Sequence, residues 1–472
     1  MNLLDLTIIE LHEGFKKKQF TSTEVTKAYL EQIKKTDGQI GAYLTVTEEL
    51  ALAQAEAADK IIATKKEFPM LCGIPFSVKD LIMVEGQICT AGSKILEKYV
   101  APYDATVIKK LNAQGAVVLG KVNLDEFAMG SSTENSAYKV TKNPHDITRV
   151  AGGTSGGSAA SVAAKQAVFS LGTDTGGSIR QPASFCGVVG LRTTYGSVSR
   201  YGVVADASSL DQVGPIAKTV EDAKIIFEAI SGKDAMDATS VDYKFKDINV
   251  ELKGLKIGVP KEYFAKGIDP KVEKIIREAI KKAQDAGAKI FQISLPSSKY
   301  ALAAYYIIQT SEASANLARY DGIKYGLSSP AEKLLDVYIK SRGAGFGAEV
   351  KRRIMTGTYS LSSGYYDAYY KKAQEVRQLI TQDFENAFKK VDVIFAPVSP
   401  FPAFKIGENT DNPLAMYLAD IYTVSVNLAY LPGLSLPTGK VGKLPVGLQI
   451  IGNHFEENKI LSVASQMESM LR

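Results

Sequence analysis

The sequence predicts an α/β fold, in which a sheet carries helices on both faces. Strand-like apolar runs alternate with helical patterns, as where "LKIGV" is followed by a helix capped by Asp269-Pro270 and then by "KIFQISL". Hydrophobic residues make up 45% and charged residues 23% of the 472 residues, which is typical of a globular protein. No apolar run approaches the roughly 18 residues that a membrane span needs.

The N-terminal elements follow from local patterns. Thr21 and Glu24 form a capping box that predicts a helix, and a second helix is expected from about 47 to 63. "CGIPFSVKD" is typical of a strand that ends in a turn at Lys79. A short helix over 105–113 and a strand over 116–119 should come next.

The chain is expected to be one domain over 1–472, with its core motif at about 70–215 and a surface loop at 233–250. The formal charge of +5 is too small and scattered to favour nucleic-acid binding by this chain alone. Cys72, Cys89 and Cys186 form no disulfide framework, and no secretory leader is recognised. We therefore expect a cytoplasmic protein.

Residues 115–121 match the start of a phosphate-binding P-loop, G-x-x-x-x-G-K. Val122 stands where such a loop needs Ser or Thr to hold Mg²⁺, and the intervening "AVVL" is apolar. We therefore expect a strand here and no nucleotide site in this segment.

The most informative block is 151–192, where two glycine-serine clusters flank a helix of small residues and the apolar run "AVFSL". The second cluster lies between that strand and a helix expected to begin near Ser178. This strand-turn-helix context exposes the Ser178 hydroxyl at the sheet edge. The N–H groups of Thr175, Gly176, Gly177 and Ser178 are then candidates for an oxyanion hole.

A serine nucleophile needs a base, and the chain has three histidines, His12, His145 and His454, none of them in this block. A buried lysine can serve, because desolvation lowers its pKa. Lys79, at its strand end, is the best-placed lysine. Taken by itself, a lysine at such a position is far more typical of a solvated surface charge.

These residues resemble the amidase signature enzymes, whose glycine-serine block matches 152–192 almost throughout. The resemblance implies a large mixed sheet and a Ser-Ser-Lys triad, with Ser178 as nucleophile and Lys79 as base. The bridging serine of that triad, which lies in a cis peptide, corresponds to Thr154. Its neighbour Ser155 is the alternative bridge, and Ala151 stands where the family commonly has proline.

Further segments, among them "GKVNLDEFAMGSSTENSAY" and "VNLAYLPGLSLPTG", resemble the glutaminase subunits of tRNA-dependent amidotransferases, a branch of this family. This implies glutamine near Gly130 and Ser131, with Arg353 on its carboxylate and Asp420 on its ammonium. It also implies partner B and C subunits, with Glu-tRNA(Gln) reached through the complex. The partner would bind ATP and Mg²⁺, whereas this chain would need neither cofactor nor metal.

Two alternatives stay open. A stand-alone amidase acting on aliphatic, aryl or acyl amides would share Lys79 and Ser178. An inactive structural subunit is conceivable because Thr154 replaces the bridging serine, although threonine keeps the hydroxyl that a proton relay requires. The choice between glutaminyl-tRNA and asparaginyl-tRNA as product is not encoded in recognisable residues.

Overall fold

The computed structural model describes residues 2–265, 267–410 and 412–471. Eleven strands form one mixed sheet, and two more form a small hairpin. The strands are β1 Tyr43–Val46, β2 Pro75–Lys79, β3 Val117–Val122, β4 Lys142–Asn143, β5 Asp146–Val150, β6 Phe169–Thr173, β7 Val189–Arg192, β8 Val213–Ala217, β9 Lys256–Pro260, β10 Lys289–Ile293, β11 Val393–Pro397, β12 Gly433–Val441 and β13 Leu444–Ile451.

Helices fill most of the connections between these strands. They are α1 Ile8–Lys16, α2 Ser22–Ile40, α3 Glu48–Thr64, α4 Thr106–Ala113, α5 Gly156–Ala163, α6 Arg180–Cys186, α7 Val220–Ile230, α8 Pro270–Asp285, α9 Ala301–Asn316, α10 Leu334–Gly345, α11 Ala348–Leu361, α12 Lys372–Phe388, α13 Pro413–Tyr417, α14 Val424–Leu428 and α15 Glu457–Leu471. Among the described residues, no helix is both long and apolar enough to cross a membrane.

The large sheet has the strand order β1-β3-β2-β6-β8-β7-β12-β13-β11-β9-β10. β2 is parallel to both of its neighbours, β3 and β6. The middle of the sheet, from β6 to β11, is antiparallel, and β11, β9 and β10 are parallel again. The prediction of a large mixed sheet is confirmed.

The sheet is covered on both faces. Along β11, Val393 and Phe395 belong to one apolar cluster, while Ile394 and Ala396 belong to a second. Because successive strand residues point to opposite faces, the two clusters lie on opposite sides of the sheet at β11. The first contains apolar residues of α2, α7 and α15, and the second those of α9 and α12.

Most predicted elements are found close to their expected positions. The capping box at Thr21 forms, and Asp269 caps α8. β3 is longer than predicted and runs through 117–122, fully buried, with Lys121 paired to Asp80 at 2.8 Å. The P-loop-like segment is therefore strand. Residues 233–250 contain no helix or strand.

The start of α6 lies two residues beyond the position near which it was predicted. The helix expected near Ser178 begins at Arg180, and residues 174–179 form a turn before it. The cause is Asp174, whose carboxylate accepts the N–H groups of Gly177 and Ile179 at 3.0 and 3.2 Å. These donors bond to a side chain, so the turn replaces what would have been the first helical turn.

Candidate active site

Two neighbouring parallel strands end at the same edge of the sheet and bring Lys79 to Thr173. Lys79 is the last residue of β2, and Thr173 is the last residue of β6. The Lys79 amine donates to the Thr173 hydroxyl at 2.8 Å. The carboxyl ends of parallel strands are a common location for binding sites in α/β folds.

The loop before α5 supplies two further hydroxyls to the same amine. Lys79 Nζ lies 2.7 Å from Thr154 Oγ1 and 2.9 Å from Ser155 Oγ. The Gly153–Thr154 peptide bond is cis. Ser155 donates its hydroxyl proton to the Thr173 carbonyl at 3.0 Å, which makes Ser155 an acceptor toward Lys79. Thr154 is therefore the better placed of the two for passing a proton to the amine.

Lys79 is fully buried, and its environment suits a base. Desolvation lowers the pKa of Lys79 to about 7, although the carboxylates of Asp125 and Asp174 act in the opposite direction. A large fraction of the amine is therefore neutral near neutral pH. A neutral amine has one lone pair and two N–H donors, which matches its three hydroxyl partners.

The turn that carries Ser178 is built around Asp174. Its buried carboxylate accepts from Arg180 Nε and Nη2, both at 3.1 Å, and from Asn427 Nδ2 at 2.7 Å. Burial raises the pKa of Asp174, but attraction to Arg180 and Arg192 outweighs it and holds the pKa well below its usual range. An ionised carboxylate thus fixes the turn in one conformation.

Glycine is required at the tip of this turn. A Cβ atom on Gly176 would lie 2.5 Å from the ring of Tyr305, and one on Gly177 would overlap with Thr423 Oγ1. Gly177 also has a φ of +136°. Both positions exclude larger side chains, so α9 and the segment before α14 pack directly against the backbone of the turn.

Ser178 lies next to the Thr154 loop. The Ser155 N–H donates to the Ser178 carbonyl at 3.1 Å, and Ser178 is 7% exposed. Of the four amides in the predicted oxyanion hole, that of Gly177 donates to Asp174 at 3.0 Å. A direct role of Gly177 in the hole would require this bond to be shared or broken.

The loop at Gly130 and Ser131 is also held by a buried carboxylate. Asp125 accepts the N–H groups of Thr133 at 2.8 Å and Asn135 at 3.0 Å. A Cβ atom on Gly130 would overlap with the Asp125 carboxyl carbon. The Ser131 carbonyl accepts from Gln181 Nε2 at 2.9 Å, which joins this loop to α6 beyond the nucleophile turn.

Asp420 is buried and lies between the Ser131 loop and the turn that carries Ser178. One of its carboxylate oxygens accepts from the Ser131 hydroxyl, and the other has no hydrogen-bond partner among the described residues. The Thr423 hydroxyl donates to the carbonyls of Asp420 and Gly176, at 3.0 and 2.6 Å. Burial raises the pKa of Asp420 to about 8. A cation bound here would favour the ionised form.

Arg353, on α11, is also buried and has one free donor. Its Nε donates to Glu349 at 2.8 Å, and its guanidinium lies over the rings of Tyr306 and Tyr417, 5.1 and 5.5 Å from their centroids. Nη2 is buried and has no partner in the part of the chain that the structure describes. Because Tyr417 lies three residues before Asp420, its contact with the guanidinium brings Arg353 and the Asp420 segment into one region.

The structure therefore links the predicted residues through a few shared contacts. Lys79 contacts Thr154, and Ser131 contacts Asp420. The turn of Ser178 contacts Ser155, next to Thr154, and Thr423, three residues after Asp420. Sequence reasoning missed Thr173, Asp174 and the Glu349–Tyr417 pair. Asp174 and Arg180 lie six residues apart inside the glycine-serine block, so this charged pair could have been recognised from the sequence. Tyr417 and Glu349 are 68 residues apart, and no local pattern connects them.

A model of the Amidase family matches residues 24–461. The chain belongs to the amidase family. This confirms the resemblance found in the glycine-serine block, and the amidase fold of the mixed sheet is confirmed with it.

Two kinds of relative support this assignment. The A subunit of glutamyl-tRNA(Gln) amidotransferase from Thermoanaerobacter pseudethanolicus is 58% identical, over 99% of this chain and 97% of its own length. The crystal structure of the protein of that name from Thermotoga maritima is 43% identical, with a TM-score of 0.82 over 98% of this chain and 94% of its own. A peptide amidase from Stenotrophomonas maltophilia is 28% identical, with a TM-score of 0.82 over 99% and 97% of the two chains.

Proposed function

We propose that this chain is the glutaminase subunit of a tRNA-dependent amidotransferase, which hydrolyses glutamine to glutamate and ammonia through an ester on Ser178. The ammonia is used by a partner subunit to convert Glu-tRNA(Gln) to Gln-tRNA(Gln). The relatives named as the A subunit of glutamyl-tRNA(Gln) amidotransferase, which match nearly the whole chain, support this.

One observation carries the choice of substrate. Two buried side chains near the nucleophile, one basic and one acidic, each have an atom without a partner among the described residues, Arg353 Nη2 and Asp420 Oδ1. A buried polar atom without a partner is costly, so such atoms are typical of a ligand site. An α-amino acid offers a carboxylate to the first and an ammonium to the second, and glutamine then extends its amide toward Ser178.

In the first half-reaction, Ser178 Oγ attacks the amide carbon of glutamine. Its proton passes to Thr154, whose own proton passes to the neutral amine of Lys79. The developing oxyanion lies against the amides of the 175–178 turn other than that of Gly177, which donates to Asp174. Lys79 then returns a proton through Thr154 to the leaving nitrogen, the C–N bond breaks, and ammonia departs from a glutamyl ester.

In the second half-reaction, water replaces ammonia in the same geometry. Lys79 accepts the water proton through Thr154 as the oxygen attacks the ester carbon. The C–O bond to Ser178 breaks, and the proton returns to Ser178 Oγ. Glutamate leaves, and Lys79 is neutral again, so the cycle needs no group beyond this chain, glutamine and water.

The remaining parts of the proposal concern partners and place. We propose that B and C subunits bind this chain in the cytoplasm, and that ATP and Mg²⁺ are bound by the B subunit. Two features are consistent with ATP and tRNA being bound mainly by other subunits. Residues 117–122, in the P-loop-like segment, are buried strand, and the formal charge is only +5. All three cysteines are free and buried, as suits a reducing compartment.

The test is a glutaminase assay of the complex assembled with B and C subunits, with and without Glu-tRNA and ATP. We expect glutamine hydrolysis that is stimulated by both additions and lost in Ser178→Ala. Arg353→Met and Asp420→Asn should each raise KM for glutamine about tenfold or more, because each removes a charge-assisted contact. Lys351→Met, on the exposed side of the same helix, is the matched control and should leave KM unchanged.

Two outcomes would favour the rival functions. Equal turnover of glutamine and of a simple aliphatic amide without charged groups would indicate a stand-alone amidase. Failure of a fluorophosphonate to label Ser178 in the assembled complex would indicate a structural subunit, since labelling requires an activated serine.

A further inference from the structure

Glu349 organises the charged side of the candidate substrate site. It lies one helical turn before Arg353 on α11 and is 9% exposed. Its Oε1 accepts two hydrogen bonds, from Arg353 Nε at 2.8 Å and from the Tyr417 hydroxyl at 2.9 Å. Its Oε2 accepts from Arg352, whose side chain is half exposed.

These contacts fix the orientation of the Arg353 guanidinium group. With Nε held by Glu349, the planar guanidinium cannot rotate about its long axis without losing that bond. The rings of Tyr306 and Tyr417 restrict it further: they stack with centroids 3.8 Å apart and 24° between their planes, and the guanidinium lies over both. The Nη2 atom is therefore held in a defined direction.

The same carboxylate connects Arg353 to the segment that carries Asp420. Tyr417 ends α13, and Asp420 follows three residues later. Glu349 therefore connects Arg353 on α11 to the chain segment that contains Asp420. The distance between the Arg353 and Asp420 side chains determines whether one ligand can contact both of them at once.

We propose that Glu349 is a positioning residue that makes the site selective for α-amino acids, that is, for amides carrying a carboxylate and an ammonium on one carbon. This rests on the proposed function, because it assumes that Arg353 and Asp420 bind those two groups. Glu349 acts through Arg353 and Tyr417 and touches no reacting atom.

The charges around Glu349 are consistent with this role. Burial raises its pKa, but attraction and hydrogen bonding from Arg353 outweigh burial and hold the pKa below its ordinary value. The other titratable groups facing it are Tyr417 and the half-exposed Arg352. Glu349 is thus an anion at neutral pH, and an amide in its place would keep the shape but lose the charge.

The test compares Glu349→Gln with wild type in the assembled amidotransferase. We expect KM for glutamine to rise about tenfold, as for loss of a charge-assisted hydrogen bond, with kcat changed less than about threefold. Labelling of Ser178 by a neutral fluorophosphonate should keep its rate. Tyr417→Phe, which removes only the hydroxyl, should raise KM about threefold, and the double variant should show less than the product of the two effects.

Arg352→Met is the matched control, because it removes the half-exposed partner of the same carboxylate, and surface ion pairs contribute little. It should leave KM within about twofold of wild type. An unchanged KM in Glu349→Gln would overturn the inference, and so would a parallel loss of kcat and Ser178 labelling, which indicates a structural role. Wild type that hydrolyses no glutamine would instead overturn the proposed function itself.

Discussion

The amine nitrogen of Lys79 lies 2.7 Å from the hydroxyl oxygen of Thr154, whereas Ser155, 2.9 Å from the same amine, donates its own proton to the Thr173 carbonyl. The two neighbouring hydroxyls therefore differ in what they can do. Thr154 can pass a proton, and Ser155 orients the amine.

This difference predicts unequal effects of removing the two hydroxyls. Thr154→Ala should lower kcat/KM for glutamine by about 10³-fold or more, because it breaks the relay between Lys79 and Ser178. Thr154→Ser, which keeps the hydroxyl, should stay within about threefold, and Ser155→Ala should lose about tenfold. Steady-state glutaminase assays measure all three. A larger loss in Ser155→Ala than in Thr154→Ala would assign the bridge to Ser155.

The pH dependence of nucleophile activation should follow Lys79. Its pKa of about 7 means that the neutral, proton-accepting form increases as pH rises through 7. The rate of Ser178 labelling by a neutral fluorophosphonate should therefore rise with pH and level off above about 8. Such a probe has no ammonium for Asp420 to bind, so Asp420→Asn should retain the same pH profile. A rate independent of pH from about 6 to 8.5 would contradict the role of Lys79 as base.

The same pKa shift predicts a pH-dependent stability cost. The folded-state pKa of Lys79 is depressed from 10.5 to about 7, so between these values the unfolded chain binds more protons than the folded chain, and stability rises with pH. Lys79→Met removes this contribution. Relative to Lys79→Met, wild type should gain up to about 1.4 kcal/mol per pH unit between about pH 7.5 and 9. Melting temperatures at a fixed scan rate measure the difference. A constant offset between the two proteins would mean that Lys79 is charged when folded.

Asp174 should be essential for the fold of the nucleophile turn. Asp174→Asn leaves Arg180 and Arg192 buried without their anion, which typically costs about 3–5 kcal/mol. We expect a lower melting temperature and slower Ser178 labelling together. Asp367→Asn is the control, because Asp367 is exposed and pairs with Lys371 on the protein surface. Normal labelling in Asp174→Asn would show that the turn keeps its shape without the carboxylate.

Local patterns were sufficient for much of the fold. The capping box at Thr21, the cap at Asp269 and the strand ending at Lys79 each depend on residues within a few positions, and each forms as predicted. The helix predicted near Ser178 begins two residues later, at Arg180, because the N–H groups before it bond to Asp174, a side-chain competition that periodicity does not reveal. The family assignment came from the glycine-serine block and is confirmed by the family match.

The substrate side of the site could not be derived from local sequence. Asp420 has the surroundings of an exposed helix residue and is nevertheless buried, because Ser131, 289 residues away in the sequence, packs against it. Glu349 and Tyr417 likewise meet only after α11 and α13 have packed together. Contacts between residues so distant in sequence are set by topology. The assigned roles of Arg353 and Asp420 stay predictions.

The partners of Arg180 have a consequence for how the protein is made. Arg180 holds Asp174 and also donates to Gln449, at 2.5 Å, and to Asn427, which lie 269 and 247 residues later in the sequence. A nascent chain on the ribosome has already produced Lys79, Thr154 and Ser178 long before these two residues emerge. The contacts that hold the nucleophile turn are therefore incomplete in any fragment that ends before Asn427, even when such a fragment contains Lys79, Thr154 and Ser178.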